Sequence, residues 1–188
     1  MIMQYLFGTP IWTFELDNTK LLNKTLIRIS PDFESASNYF DTDVPPILEL
    51  KDAIEEKIKL VYDELGWVDE PLDLHGRQNA IFPKGNDTPH HHPTCYLVAV
   101  YYIKVPEDSG SIIFHDPRGS VIWKDKNART DINWCSSRPF HKIDPKEGML
   151  LVFPGYLVHS VETNCSNEIR LSLAISVNSV IPIMSRDS

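Results

Sequence analysis

The feature that most limits the possible folds of this chain is a succession of short β-like segments that begins near Leu72. These segments span residues 74–82, 95–105, 111–114, 121–123, 141–143, 149–153, 158–162 and 169–177. Turn sequences separate them, for example Pro83-Lys84-Gly85-Asn86. Many short strands joined by such turns indicate a sandwich or barrel, and a jelly roll is the member of that class that we expect.

The region before these segments predicts a strand and two helices. Residues 10–16 alternate apolar and polar side chains as a strand does, and a helix over residues 20–29 follows. A longer helix is predicted by apolar residues at intervals of three and four, which are Ile47, Leu50, Ile54, Ile58, Val61 and Leu65. We interpret this stripe as a packing face. Residues 1–71 would then support a jelly-roll core over residues 72–180, within one domain of 188 residues.

Composition excludes several functional classes. The net charge of −8 argues against bulk electrostatic capture of nucleic acid or of an anionic membrane. The longest apolar run, residues 96–103, is too short to span a bilayer, and the N-terminus lacks the features of a signal peptide. Three widely spaced cysteines without a CxxC motif indicate free thiols. We therefore expect a cytosolic protein, in the cytoplasm of the host cell if a phage encodes it.

Three consecutive histidines, His90 to His92, stand in a chain that has seven histidines in all. In a strand, alternate side chains share a face, so His90 and His92 would point to one side and His91 to the other. Two imidazoles on one face form half of a metal site. His159, which follows a buried-looking strand and turn, is the candidate for a third ligand; a core histidine is the alternative.

Arg170 is the candidate for recognition of a carboxylate. Alternation in its strand places Arg170, Ser172, Ala174 and Ser176 on one face. A small polar face with one arginine suits a cavity wall, because the guanidinium binds carboxylates in a bidentate manner and a nearby hydroxyl can complete the contact. An exposed arginine on a solvated strand face is the alternative.

Several short motifs occur together in a characteristic order. They are His90-x-His92-Pro93, Tyr101-Tyr102-Ile103, Ser109-Gly110, Phe114-His115-Asp116-Pro117-Arg118, Pro145-Lys146-Glu147-Gly148, Leu151-Val152-Phe153-Pro154, His159 and Arg170-x-Ser172. With these motifs the chain resembles the 2-oxoglutarate- and Fe(II)-dependent oxygenases. It is most similar to a compact group of bacterial and phage oxygenases related to the prolyl-hydroxylase-like branch. The resemblance covers residues 78–178, and more weakly residues 5–12.

This resemblance implies a double-stranded β-helix, a cupin-like barrel with iron at one open end. His90, His92 and His159 would be the ligands of Fe(II), while Arg170 and Ser172 would bind the far carboxylate of 2-oxoglutarate. Tyr101 and Tyr102 alternate, so only one of them can face inward, and Tyr102 is the candidate that could reach the same carboxylate. The enzyme would use O2 to hydroxylate a small molecule or a peptide, and would release succinate and CO2. Nucleic acid and membranes are not expected as partners, and a homodimer is an assembly that we consider.

One departure from the superfamily pattern concerns the second ligand. The usual motif is H-x-D or H-x-E, whereas this chain has His92, which gives a three-histidine site. Asp87 and Asp116 are nearby carboxylates that could coordinate the metal or support its ligands. Because Asp116 precedes a proline at a strand end, we expect it to cap a turn. His115 could line the cavity or pack outside it.

Two other hypotheses are a cupin-like metal protein and a non-enzymatic jelly-roll module. A typical cupin would have a glutamate several residues after its H-x-H, but no glutamate follows His92 before Glu107. The polar segment 124–138 could be a lid or a crossover loop. The three histidines must converge on one point for a metalloenzyme, and Arg170 must face the barrel interior for 2-oxoglutarate.

Overall fold

The computed structural model describes residues 8–33, 38–68, 70–118 and 140–179. The strands in this part of the chain are β1 (Trp12–Glu15), β2 (Leu72–Ile81), β3 (Asp87–His90), β4 (Leu97–Lys104), β5 (Ile112–His115), β6 (Phe140–Ile143), β7 (Met149–Pro154), β8 (His159–Val161) and β9 (Arg170–Ser179). The helices are α1 (Thr19–Ile29), a short 3-10 turn (Ser30–Phe33) and α2 (Pro45–Leu65). The predicted strand at 121–123 and the loop 124–138 lie outside the described residues.

The strands form two antiparallel sheets. The larger has the order β1-β7-β4-β9-β2, and the smaller has the order β3-β8-β5-β6. Apolar side chains between the sheets form one core: Val98, Val100, Tyr102, Ile112, Phe114, Met149, Leu151, Phe153 and Leu157. Consecutive side chains of a strand point to opposite faces, so these residues mark the inner face of each sheet. Two antiparallel sheets enclosing a core agree with the predicted jelly roll.

The helices cover the outer face of the larger sheet. Five members of the predicted apolar stripe of α2, from Ile47 to Val61, are fully buried in a second core with alternate residues of β4, β7 and β9, while Leu65 is partly buried. The helix ends where Gly66 adopts a left-handed conformation (φ 67°) and donates its backbone N–H to Asp63. Helix α1 is tied to the sheet by the hydrogen bond from Tyr101 Oη to Asn23 (2.6 Å). The helical layer therefore stiffens the sheet that carries Arg170.

The cysteines and the helices bear on two predictions from composition, free thiols and the absence of a membrane span. Cys95 and Cys165 are free thiols, and Cys135 lies outside the described residues. Among the helices that the structure describes, none combines the length and apolar character that a membrane span needs.

Candidate active site

Three histidines meet at one end of the barrel. His90 ends β3 and His159 begins β8, and these two residues are direct partners in the antiparallel pairing of the strands. With His92 they form a group whose candidate ligand nitrogens all lie within 4.8 Å of one another. His90 is exposed, His92 is half-buried and His159 is buried, so the cluster reaches from the interior to an open side.

The route by which His92 reaches the cluster differs from the sequence prediction. Strand β3 ends at His90, so His92 lies in the following loop and does not share a strand face with His90. The loop is held by hydrogen bonds from the backbone N–H of His92 to Gly155 O (2.8 Å) and from the N–H of Gly155 to Tyr96 O (3.0 Å). A Cβ atom at Gly155 would lie 2.2 Å from Cys95 O, so this close approach requires glycine.

Hydrogen bonds fix the orientation of two imidazoles. Nδ1 of His90 lies 2.8 Å from Thr88 O, and Nδ1 of His159 lies 2.9 Å from Leu157 O. Because a carbonyl oxygen can only accept, each Nδ1 carries the proton and each Nε2 keeps its lone pair. Burial lowers the pKa of His159 to about 4, and burial with the neighbouring His90 and His91 lowers the pKa of His92. His159 is therefore neutral at pH 7, as a metal ligand must be.

Arg170 lies in the interior, between the two sheets. Its side chain is 1% exposed, and its Nη1 donates to Gly110 O (2.7 Å). The guanidinium carbon is 5.2 Å from the centroid of the Tyr102 ring. Ser172 is 4% exposed and is paired directly with Tyr102 across β9 and β4. Three residues predicted for carboxylate recognition thus share the inner face of the larger sheet.

Burial affects the chemistry of this group. Burial raises the pKa of Tyr102 to about 12. Burial also lowers the pKa of Arg170, while the neighbouring Tyr102 and the charge of Asp87 act to raise it. Tyr102 Oη, Ser109 Oγ and Arg170 Nε are buried and make no well-aligned hydrogen bond among the described residues, although the phenol and the guanidinium interact with each other. Unpaired donors are costly in a closed interior, so their concentration around one guanidinium is a sign of an acceptor that would complete the site.

Asn79 also belongs to the site, although no sequence motif marks it. Asn79 is the pairing partner of Ser172 and therefore faces the same interior. Its Nδ2 donates to Asp87 Oδ2 (2.7 Å), which connects the larger sheet with β3 of the smaller sheet. The position of Asn79 depends on the register of β2 against β9, and no local motif indicates it. Gly155 does have a local sequence signal for a tight turn, since it directly follows the apolar segment 149–154 that precedes His159.

The remaining candidates lie elsewhere. The Asp116 carboxylate accepts from the backbone N–H of Arg118 (2.9 Å) and pairs with the Arg118 guanidinium, so it caps a turn as expected. His115 faces outward on β5, and its Nε2 lies 2.9 Å from Ser160 Oγ. His91 is exposed beside the cluster. A groove of about 1010 Å³ includes Asp87, Ser109 and Ser160 in its lining but none of the clustered histidines, so it adjoins the arginine end of the site and does not contain the candidate metal ligands.

The comparison with protein families identifies the group that this chain matches. The family described as "Putative 2OG-Fe(II) oxygenase" matches residues 78–176, which is more than half of the 188 residues. This range confirms the resemblance predicted over residues 78–178. A search of the curated proteins finds no match.

Solved structures of low sequence identity share the fold. A Pseudomonas putida prolyl-4-hydroxylase superimposes with a TM-score of 0.65 at 15% identity, covering 91% of this chain and 88% of that one. HygX from Streptomyces hygroscopicus, solved with nickel and 2-oxoglutarate bound, gives 0.65 at 12% identity over 92% and 83%. AviO1 from Streptomyces viridochromogenes gives 0.61 at 12% identity over 92% and 90%. The predicted double-stranded β-helix is thereby confirmed.

Proposed function

This chain belongs to the 2OG-Fe(II) oxygenases, and we propose that His90, His92 and His159 hold its Fe(II) while Arg170 binds the distal carboxylate of 2-oxoglutarate. The class of the enzyme is that of the oxidoreductases that depend on iron and 2-oxoglutarate. The observation that carries the proposed ligand set is the approach of three candidate ligand nitrogens to within 4.8 Å at one end of the barrel.

The donor set fits a ferrous ion. Imidazole is a suitable ligand for iron, and three neutral imidazoles leave coordination positions for a cosubstrate and O2. The hydrogen bonds from His90 and His159 to backbone carbonyls orient Nε2 of both rings, as is usual for histidines that bind metals. The rings of Phe153 and His159 pack in an edge-to-face arrangement with their centroids 4.8 Å apart, which places an apolar ring beside the buried imidazole.

The interior around Arg170 fits a carboxylate. A carboxylate beside the guanidinium could accept from Arg170 Nε and from Tyr102 Oη, both of which are buried without a well-aligned hydrogen bond among the described residues. Charge-assisted hydrogen bonds of this kind are stronger than neutral ones, and they also fix the orientation of the bound acid. Ser172 adds a hydroxyl on the same face.

When bound, Fe(II) and 2-oxoglutarate together supply the oxidising chemistry, in which O2 is consumed and the cosubstrate is converted to succinate and CO2. The residues of this chain orient these groups. Arg170 and Tyr102 hold the cosubstrate from the closed side, and the exposed His90 leaves the other side accessible. The family implies a small-molecule or peptide substrate, and we propose hydroxylation as its fate.

The alternatives are less well supported. A cupin-like or non-enzymatic module would not need a buried arginine with unpaired donors in the barrel, and the matching family is one of oxygenases. A cytosolic location, the lack of a nucleic-acid partner and a homodimer remain predictions from the sequence.

A spectroscopic titration tests the proposal. Purified protein receives Fe(II) without O2, and 2-oxoglutarate is then added. A weak visible charge-transfer band should appear, because the keto-acid end of the cosubstrate would bind to iron held by the three histidines. Iron that binds stoichiometrically without giving this band would exclude 2-oxoglutarate as the ligand of this centre. A protein that binds no iron would refute the assignment of the three histidines.

A further inference from the structure

A bulge turns the carboxylate of Asp87 into the barrel. In the pairing of β3 with β8, Asp87 lies opposite Val161 and His90 lies opposite His159, so three steps along β3 match two along β8. One extra residue in β3 changes the alternation of side chains. Val161 and His159 are two residues apart in β8 and therefore share a face. Residues paired across two strands also point to the same side, so Asp87 faces the same side as His90. Bulges often redirect a side chain next to a functional site.

Asp87 is half-buried, and its contacts direct its carboxylate towards the larger sheet. Its Oδ2 accepts from Asn79 Nδ2 at 2.7 Å, and Asn79 shares the inner face of the larger sheet with Ser172. Burial lowers the pKa of both His159 and Arg170, and the charge of Asp87 acts in the opposite sense on each. Asp87 thus acts electrostatically on both ends of the proposed site. Its oxygens are not part of the group of candidate ligand atoms within 4.8 Å of one another.

The charge of the proposed site explains why such a carboxylate is useful. A ferrous ion held by two histidines and one carboxylate has a single net positive charge, whereas three neutral histidines leave both positive charges. The dianionic cosubstrate would cancel those two charges, and Arg170 would then leave the closed interior positive by one unit. An uncompensated charge is unfavourable in a medium of low dielectric constant. Asp87 supplies the missing negative charge.

We propose that Asp87, held by Asn79, is the charge-compensating carboxylate of this site and replaces electrostatically the carboxylate ligand that His92 displaces. The inference rests on the proposed function. Asp87 acts through the field and not as a ligand, so it strengthens the binding of Fe(II) and weakens the binding of 2-oxoglutarate. The two affinities are therefore linked with opposite signs through one residue.

The test compares Asp87→Asn with the wild-type protein and with Asp144→Asn. The Asn side chain keeps the shape and removes the charge, and Asp144 is an exposed carboxylate whose Oδ1 is bound by Ser111 outside this site. Fe(II) affinity is measured without O2 by competition with a chromophoric chelator. The affinity of the iron-loaded protein for 2-oxoglutarate is measured from the charge-transfer band. In Asp87→Asn we expect Fe(II) to bind roughly tenfold more weakly and 2-oxoglutarate several-fold more tightly.

An exchange of the two residues provides a second, independent test. The double variant Asp87→Asn/Asn79→Asp keeps the hydrogen bond between the sheets and returns a negative charge to the same place. Both affinities should return to within about threefold of the wild-type values. If Asp87→Asn does not fold, the double variant still tests the proposal, because affinities outside that range would refute it.

Each other outcome contradicts the inference. Unchanged affinities in Asp87→Asn would show that the charge of Asp87 influences neither Fe(II) binding nor 2-oxoglutarate binding. A joint loss of both affinities would show a direct ligand or a structural role instead. If the wild-type protein binds neither Fe(II) nor 2-oxoglutarate, the proposed function fails; if it binds both and only the opposite shifts are missing, the inference on Asp87 alone fails.

Discussion

Arg170 and Tyr102 face each other inside the barrel, with the guanidinium carbon 5.2 Å from the centroid of the phenol ring. They lie on neighbouring strands, β9 and β4, and the helical layer supports the outer face of both. The guanidinium lies over the ring and is held at one nitrogen by Gly110 O, while its Nε makes no well-aligned hydrogen bond among the described residues. A site that is rigid and incomplete in hydrogen bonds is preorganised for an acceptor.

Replacing Arg170 should separate cosubstrate binding from metal binding. In Arg170→Ala we expect the charge-transfer band with 2-oxoglutarate to be lost and Fe(II) binding to be retained, because the arginine contacts the far carboxylate and not the metal. Truncation of such a charged contact costs on the order of 2–5 kcal/mol in binding, which is at least about thirtyfold in affinity. The measurement is an anaerobic titration followed in the visible range.

Arg118→Ala is the matched control for this variant. Arg118 is a half-exposed arginine paired with Asp116, and its removal should leave the band unchanged. Retention of a normal band in Arg170→Ala would refute the role assigned to Arg170.

The hydroxyl of Tyr102 should have opposite effects on stability and on cosubstrate binding. Since the buried Oη makes no well-aligned hydrogen bond among the described residues, Tyr102→Phe should leave the free energy of unfolding of the ligand-free protein unchanged or raise it by up to about 1 kcal/mol. The same change should weaken 2-oxoglutarate binding several-fold, because one donor is lost. Urea unfolding and the spectroscopic titration measure the two effects. Tyr156→Phe, at an exposed tyrosine, should change neither. A destabilised Tyr102→Phe protein would show that the contact of the phenol with Arg170 is a structural hydrogen bond.

His159 should be essential for the metal. In His159→Ala we expect Fe(II) affinity to fall by at least about a hundredfold, because a three-ligand site loses one donor and the two remaining imidazoles lie on a more exposed segment. The measurement is competition with a chelator under anaerobic conditions. His91→Ala is the matched control, since His91 is exposed in the same histidine run and lies outside the cluster. Equal losses in the two variants would argue that the run binds metal without His159.

The sequence was most informative where a pattern is local. The period of three and four in residues 47–65 predicts α2 because a buried helix face must repeat with the helical turn, and Ile54 and Ile58 are indeed fully buried. Strand alternation likewise predicts that Arg170 and Ser172 share a face, which is the inner one. The order of the short motifs was sufficient to predict the family, and the family model matches residues 78–176.

The features that the sequence missed depend on pairing between distant strands. Asp87 was a candidate from the sequence, but its orientation depends on a bulge in β3 that exists only relative to β8, so alternation along β3 alone would place Asp87 and His90 on opposite faces. His92 was predicted on a strand, but the strand ends at His90 and a loop held by Gly155 directs His92. Asn79 gains its place from the register of β2 with β9. Such contacts are set by tertiary packing and have no signature in a short segment.

Gly155 should control the position of His92. A Cβ atom in Gly155→Ala would lie 2.2 Å from Cys95 O and 2.8 Å from His92 O, so the loop must shift. We expect a loss of about 1–3 kcal/mol in the free energy of unfolding and a fall in Fe(II) affinity of about tenfold or more. Urea unfolding and the chelator competition report these effects. Gly8→Ala is the control, because no atom lies within 4 Å of a Cβ built there. An unchanged metal affinity in Gly155→Ala would show that the loop does not position His92.

The stability of the metal-free protein should fall as the pH falls from about 6.5 to 4, in part because of His159. Its pKa is about 4 in the folded protein, where burial disfavours the imidazolium, and near 6.5 in the unfolded chain. Between these values the unfolded state binds a proton that the folded state does not, so the free energy of unfolding rises with pH. The contribution is complete above pH 6.5, is lost as pH falls through 4, and amounts to about 3 kcal/mol.

Urea unfolding in the presence of a chelator, at several values of pH between 7.5 and 4, measures this dependence against His159→Gln. Carboxylates whose pKa is lowered, such as Glu162 with its partner Lys142, also lose stabilisation in acid, but they do so equally in both proteins. The difference between the two curves therefore isolates His159. We expect the wild-type protein to lose about 3 kcal/mol more than the variant over this range. Parallel curves would mean that His159 takes up a proton as readily in the folded protein as in the unfolded chain, and that it is not the neutral, buried imidazole that the site requires.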